Sequence, residues 1–324
     1  MDRTNFTHPD GTWEALRLAV PESARPTLRI LAARGGRFVM VDESRRRTAG
    51  AVGEAGTEER EAPGMRDAPA VLFARVEADR SGVDYHCTGL YRSPVPPLRA
   101  AETRLVGSVK DPGWYARWAH RMADALTGHG PLYGGDWSLA RRLDRTRLVF
   151  PRFAAPELPA HPAGRVDYRS HTTDYWEIMP LRAPAPADDG RVKAYRKQVR
   201  DDTLPPVLVW WVGMLTTHVV LDGHDRLAAA IAEGRVPPLL VLSRRTDHTP
   251  WEAGPLGAFE RRMAAAEGAP DAADRLIPAA GRQLASDLHG LNIGYGPTRA
   301  WMLAGGEPEW RRRVESSAAG WPGI

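Results

Sequence analysis

One segment constrains the fold of this chain more than any other. It runs Leu204-Pro205-Pro206-Val207-Leu208-Val209-Trp210-Trp211, then His218-Val219-Val220-Leu221-Asp222-Gly223-His224-Asp225-Arg226-Leu227-Ala228-Ala229-Ala230, then Val236-Pro237-Pro238-Leu239-Leu240-Val241-Leu242. Short apolar runs rich in β-branched residues and bounded by Pro or Gly read as strands, and the Ala-rich stretch reads as a buried helix. The predicted order is strand, strand, tight turn, helix, strand, with Gly-His-x-Arg where the second strand hands over to the helix. The first helical turn leaves backbone N–H groups unpaired and carries the positive end of the macrodipole, so such a junction attracts anions. His224 and Arg226 add side-chain donors there, and a first-turn Arg at such a site is expected on the surface. Asp222-Gly223 is also a common turn pair, because Gly accepts positive φ and Asp bonds its own backbone. Asp222 therefore reads either as a metal ligand or base, or as a turn former, and His224 either as a catalytic group or as a structural histidine.

Other patterns organise the rest of the chain. Leu28–Ala33 and Phe38–Val41 read as strands about Gly35-Gly36, and strands resume at 70–78 and 83–91. The polar segment 44–67 between them reads as a mobile loop. Asp111-Pro112 opens a helix with Trp114, Trp118, Met122 and Ala125 on one face, which is a core stripe. A second helix is expected at Ser138–Leu143, where Arg141, Arg142, Arg145 and Arg147 cluster beside Tyr133 and Trp137. That cluster reads as solvated surface or as a contact for a base or a nucleic-acid backbone. A further helix over Arg191–Arg200, capped by Asp188 or Asp189, places Lys193, Arg196, Lys197 and Arg200 on one stripe and Val192, Tyr195 and Val199 toward the core. Apolar residues at helical spacing after Pro250 predict appended helices: Leu256, Phe259, Met263 and Ala266, then Leu276, Ala280, Leu284 and Leu288. A last helix is expected within Trp301–Val314.

The four prolines between Pro151 and Pro162 place a boundary there. The expected plan is a β-rich domain with helices at its end over 1–150, a Pro-rich linker over 151–165, an α/β domain over 166–245 and a helical extension over 246–324. The fold class is α/β (α+β).

Composition excludes several classes. The 44 Lys and Arg residues face 40 Asp and Glu, so a pI of about 9.4 goes with a formal charge of only +4. That balance permits weak, non-specific nucleic-acid contact but does not argue for a dedicated binder. A single Cys rules out an internal disulfide and fits a reducing compartment. No stretch approaches the ~20 apolar residues of a membrane span and the first residues lack a hydrophobic leader pattern, so a cytoplasmic location without a membrane partner is expected. The sequence contains no Gly-x-x-x-x-Gly-Lys, Gly-x-Gly-x-x-Gly, His-Glu-x-x-His, Cys-x-x-Cys or Gly-x-Ser-x-Gly motif.

Residues Tyr175–Leu242, about a fifth of the chain, resemble the ParB/sulfiredoxin superfamily through the Asp222-Gly223-His224-x-Arg226 turn between a strand and an Ala-rich helix. The resemblance makes 166–245 a ParB/sulfiredoxin-like domain. It implies that Gly223 and Arg226, with Lys193, Arg196 and Lys197 from the neighbouring helix, contact the phosphates of a nucleoside di- or triphosphate. Under the same resemblance Asp222 and His224 are the catalytic candidates, with Asp222 also holding Mg²⁺. The implied activity is phosphoryl transfer or nucleotide hydrolysis, kinase-like or NTPase-like, on a small-molecule or nucleotide substrate. Members of the superfamily also include DNA-binding partition proteins with a nucleotide switch and nucleases, and a non-catalytic interaction domain is a further alternative. Gly223 stands where sulfiredoxins carry Cys, and Asp225 stands where many members have His or Arg.

Overall fold

The computed structural model describes residues 1–7, 11–44, 68–78, 82–141, 162–167, 178–245, 249–268, 270–292 and 297–321. Two mixed sheets carry the fold. In the first, the order is β1 (Asp2–Thr7), β2 (Trp13–Val20), β7 (Gly135–Arg141), β12 (Leu239–Arg244), β10 (Val207–Val212), β11 (Thr217–Asp222) and β9 (Ile178–Pro180). In the second, it is β13 (Trp301–Met302), β3 (Leu28–Ala33), β4 (Arg37–Asp42), β5 (Ala70–Val76), β6 (Gly82–Cys87) and β8 (Ala163–Asp167). The helices are α1 (Ala100–Val106), α2 (Trp114–Leu126), α3 (Gly190–Arg200), α4 (His224–Ala232), α5 (Thr249–Glu267), α6 (Pro270–Asn292) and α7 (Gly306–Ser317). The α/β class expected from the sequence is present.

Strand alternation sorts the apolar side chains onto two faces of the second sheet. Ile30 and Met40 point into a large core shared with Leu16, Leu18, Trp137, Leu208, Trp210 and Leu221 of the first sheet and with Trp114, Trp118 and Met122 of α2. Leu31, Val39, Val41 and Phe73 point the other way, under Trp310 and Val314 of α7 and Trp321. The predicted stripe of α2 is core, as its spacing requires.

The division into an N-terminal and a C-terminal domain is corrected. β2 and β7, from the first 150 residues, lie in one sheet with β9–β12, and the two sheets share one core. Residues 163–167, assigned to the linker and the start of the following domain, form β8 and pair antiparallel with β6. The compact units are Met1–Ser243 with Thr298–Ile324, and Arg244–Pro297. The helical extension therefore ends before β13, which pairs parallel with β3. Proline clusters disfavour regular structure, and from sequence alone this reads the same within one domain as between two.

The helix expected at Ser138–Leu143 is also corrected. Gly135–Arg141 is strand β7, in which Trp137 and Leu139 are buried and alternate with less buried neighbours. That spacing of two is the strand period, and it outweighs the arginine cluster that follows. Trp137 donates to the Tyr133 carbonyl at 2.8 Å, and both rings are core rather than a base-stacking surface. Arg142, Arg145, Arg147 and the loop expected at 44–67, apart from Ser44, lie outside the described residues. Within 244–297 the two helices expected from the apolar spacing form as α5 and α6 and pack against each other. No helix among the described residues is long and apolar enough to cross a membrane.

Candidate functional site

The turn between β11 and α4 has the conformation its sequence predicts. Gly223 is the α4 N-cap at φ 95, in the left-handed region, and offers no side-chain cap to the first-turn amides. Asp225 supplies a carboxylate in that first turn, on the favourable side of the helix dipole. The Ala-rich body then runs to Gly234 at φ 64, where Gly234 N–H and Arg235 N–H close the C-terminal turn on the Ile231 and Ala230 carbonyls at 2.9 Å each.

The side chains of the turn are turned inward. Arg226 is 2% exposed, against the surface position expected from the sequence. Its Nη2 donates to Asp222 Oδ2 at 2.5 Å, and Asp222 Oδ1 accepts from Ser93 Oγ at 2.7 Å. The guanidinium lies against Gly223: a Cβ added there meets Arg226 Nη2 at 2.7 Å and Nε at 2.9 Å. Gly is thus required twice, by the backbone angle and by the arginine. Arg226 Nε–H is buried and has no acceptor.

His224 is 2% exposed, and its Nε2 accepts from Leu181 N–H at 3.0 Å. An acceptor Nε2 carries no proton, so the neutral ring holds its hydrogen on Nδ1. The Tyr91 ring sits 6.2 Å away, and the Tyr91 hydroxyl donates to the Leu221 carbonyl at 2.7 Å. Burial, reinforced by the Asp222 and Asp42 charges, pushes that hydroxyl well above the usual phenol range. Tyr91 and Ser93 together fasten the end of β11 from a segment about 130 residues earlier.

Asp225 does not face an approaching anion. Its Oδ1 accepts from Ala185 N–H at 2.9 Å, and its Oδ2 is within 3.0 Å of Arg182 Nη2 and 3.5 Å of Arg191 Nη1. Burial alone would raise this carboxyl, but the Ala185 amide and the two arginines outweigh it and hold the pKa below the ordinary value. Around the turn, three guanidinium groups (Arg182, Arg191, Arg226) thus pair with two carboxylates (Asp222, Asp225).

The cationic stripe of α3 sits elsewhere. Asp189 caps α3 by accepting from Arg191 N–H at 2.7 Å, and Val192 and Val199 are buried while Tyr195 is half-buried. Arg196 and Arg200 both bind Glu233 Oε1, at 2.7 and 2.8 Å, at the opposite end of α4 from the turn. Eight residues of helix separate Asp225 from Glu233, roughly 12 Å. Arg196 is therefore tied away from Gly223 and Arg226, and Lys193 and Lys197 are exposed on the same helix. Arg191 and Arg182 take the place assigned to the stripe. The signal for them in the sequence was Asp225 itself, since a buried carboxylate demands cationic partners.

The set does not fit Mg²⁺. Both Asp222 oxygens are occupied by Arg226 and Ser93, and among the described residues no group of three His, Cys, Asp or Glu side chains is placed to hold a metal. Cys87 comes nearer than its sequence position implied, donating to the Pro180 carbonyl at 3.0 Å, one residue before Leu181. Burial pushes its thiol up to about 12, which makes it inert as a nucleophile. Comparison of the chain with family models, with curated proteins and with solved structures returned no match.

Proposed function

We propose that this protein binds a phosphate-bearing small molecule, a nucleotide foremost, at the turn Asp222–Arg226. The observation that carries the reading is the buried Arg226 Nε–H, without an acceptor, beside an α4 first turn that has no side-chain cap. A buried charged donor left unpaired costs about 1–3 kcal/mol or more, and an anionic oxygen reaching it would recover that while meeting the helix dipole. Arg182 and Arg191, which are 34% and 65% exposed in their side chains, supply the positive rim.

Binding without chemistry is favoured over phosphoryl transfer. Asp222 is held by Arg226 and Ser93, and the His224 Nε2 lone pair is occupied by the Leu181 amide. A general base needs an available lone pair within reach of substrate. Transfer or hydrolysis would require both groups to leave these partners first. The DNA-binding alternative loses two of its four stripe cations, Arg196 and Arg200, to Glu233.

Calorimetry and thermal shift with nucleoside di- and triphosphates, with inorganic phosphate, and with and without Mg²⁺ test this reading. A saturable stabilisation that persists without Mg²⁺ and weakens in the Arg182→Ala/Arg191→Ala variant is expected. No stabilisation by any nucleotide at millimolar concentration overturns it. Release of phosphate that disappears in Asp222→Asn would restore the transfer reading.

A further inference from the structure

A cavity adjoins the segment of Tyr91 and Ser93 that fastens the end of β11. It measures about 260 Å³ and is lined by Thr27 and Leu28 where β3 begins, by Asp42 and Ser44 where β4 ends, by Tyr91, Arg92, Ser93 and Pro94, and by His129 and Gly130, so that one carboxylate and one guanidinium share the wall without pairing. That volume has room for several waters or one small organic molecule.

The polar groups of this wall are unequally satisfied. Thr27 Oγ1 accepts from Gly130 N–H at 2.8 Å, Tyr91 donates to Leu221, and Ser93 donates to Asp222. Asp42 is different. It is 7% exposed, its Oδ1 accepts one neutral donor, Ser44 N–H at 2.9 Å, and no Lys, Arg or His among the described residues pairs with it. Its neighbour Glu43, by contrast, has Arg29. A carboxylate this deeply buried is costly unless it is paired.

We propose that this cavity binds a small organic ammonium compound, with Asp42 as the counter-ion of its –NH₃⁺ group. The ammonium supplies three donors in a compact charge, which suits a buried carboxylate that holds one neutral donor. Among the described residues no group of three His, Cys, Asp or Glu side chains is placed to hold a metal ion, and Asp42 is the single carboxylate in this wall. Asp42 acts independently of phosphate binding at Arg226, since it is a different charge on a different element, strand β4 rather than helix α4. Ser93 is nonetheless shared, with its backbone in the cavity wall and its hydroxyl on Asp222.

The test uses 2-aminoethanol as probe, ethylene glycol as its uncharged counterpart, and sodium chloride to hold ionic strength constant, followed by thermal shift and ligand-observed NMR. A saturable rise in melting temperature with 2-aminoethanol and none with ethylene glycol is expected. Asp42→Asn, which keeps the acceptor for Ser44, should weaken that response by at least about tenfold, the usual effect of removing one charged partner. Equal responses to the two probes, no response to 2-aminoethanol, or unchanged affinity in Asp42→Asn each overturn the proposal. Should Asp42→Asn fail to fold, His129→Trp at the exposed rim closes the cavity. Loss of the response in that variant supports the proposal, and its retention overturns it.

Discussion

Arg226 Nη2 donates to Asp222 Oδ2 at 2.5 Å across the first turn of α4, and the two side chains are only 3% and 14% exposed. The two residues that resemble a phosphate-binding turn in sequence thus pair with each other through Nη2, and Arg226 Nε–H is left without an acceptor. Ser93, from a distant segment, completes the set. A buried pair of this kind adds little net stability, yet removing one member leaves an uncompensated buried charge.

Arg226→Ala is therefore expected to destabilise the protein by about 3–5 kcal/mol, as breaking a buried pair does. Urea denaturation measures it. The double variant Asp222→Asn/Arg226→Ala should lose less than the sum of the singles, because the second change removes the charge the first one strands. A loss under about 1 kcal/mol for Arg226→Ala, within the range of ordinary surface substitutions, would place the arginine outside the fold's support.

Gly223→Ala meets two obstacles, φ 95 and a Cβ position 2.7 Å from Arg226 Nη2. The backbone alone costs about 1–3 kcal/mol. Gly223→Asn, which tolerates the left-handed region better, should remain destabilised because it still meets the guanidinium. In an Arg226→Ala background Gly223→Ala should cost measurably less, and additive losses would show that the guanidinium contact contributes nothing.

How far the sequence went is visible in these same residues. Gly223, the Ala-rich helix and the flanking strands were legible because turn chemistry and hydrophobic period are local properties. Apolar runs about the Gly35-Gly36 turn likewise point to β3 and β4, and period two is present in Trp137 and Leu139 of β7, where the neighbouring arginines suggest a helix instead. What was not legible is non-local. Nothing near Asp222 announces that Ser93 and Tyr91 meet it from about 130 residues away. The inward turn of Arg226 follows from the Asp222 pair and from the space over Gly223, neither of which has a sequence period. The charged stripe of α3 was placed correctly on its helix, but its direction along α4 was set by Glu233, so Arg191 rather than Lys193 reached the turn.

The Leu181 N–H to His224 Nε2 bond fixes the imidazole tautomer. ¹⁵N NMR of the histidine side chains should therefore show His224 as the Nδ1–H form. His224→Ala strands the buried Leu181 amide and should cost at least about 1–3 kcal/mol, the penalty of an unsatisfied buried donor. A resonance pattern of the Nε2–H tautomer would contradict the geometry directly.

Asp225 contributes to the acid limb of the stability profile. Its carboxyl is held below the ordinary range because the Ala185 amide, Arg182 and Arg191 outweigh the burial that would raise it. In the unfolded chain the same group titrates near 3.9. A folded-state pKa lower than the unfolded one means the unfolded chain takes up the proton first. The stabilisation is then fully present above the unfolded value and lost as pH falls through the folded one. Urea midpoints followed from pH 6 downward should fall below about pH 4 in the wild type. They should fall less steeply in Asp225→Asn, which starts from a lower plateau because the amide cannot answer both arginines. Parallel acid limbs in the two proteins would mean that Asp225 is not charged in the folded state, and the two arginine contacts would have to be reassigned.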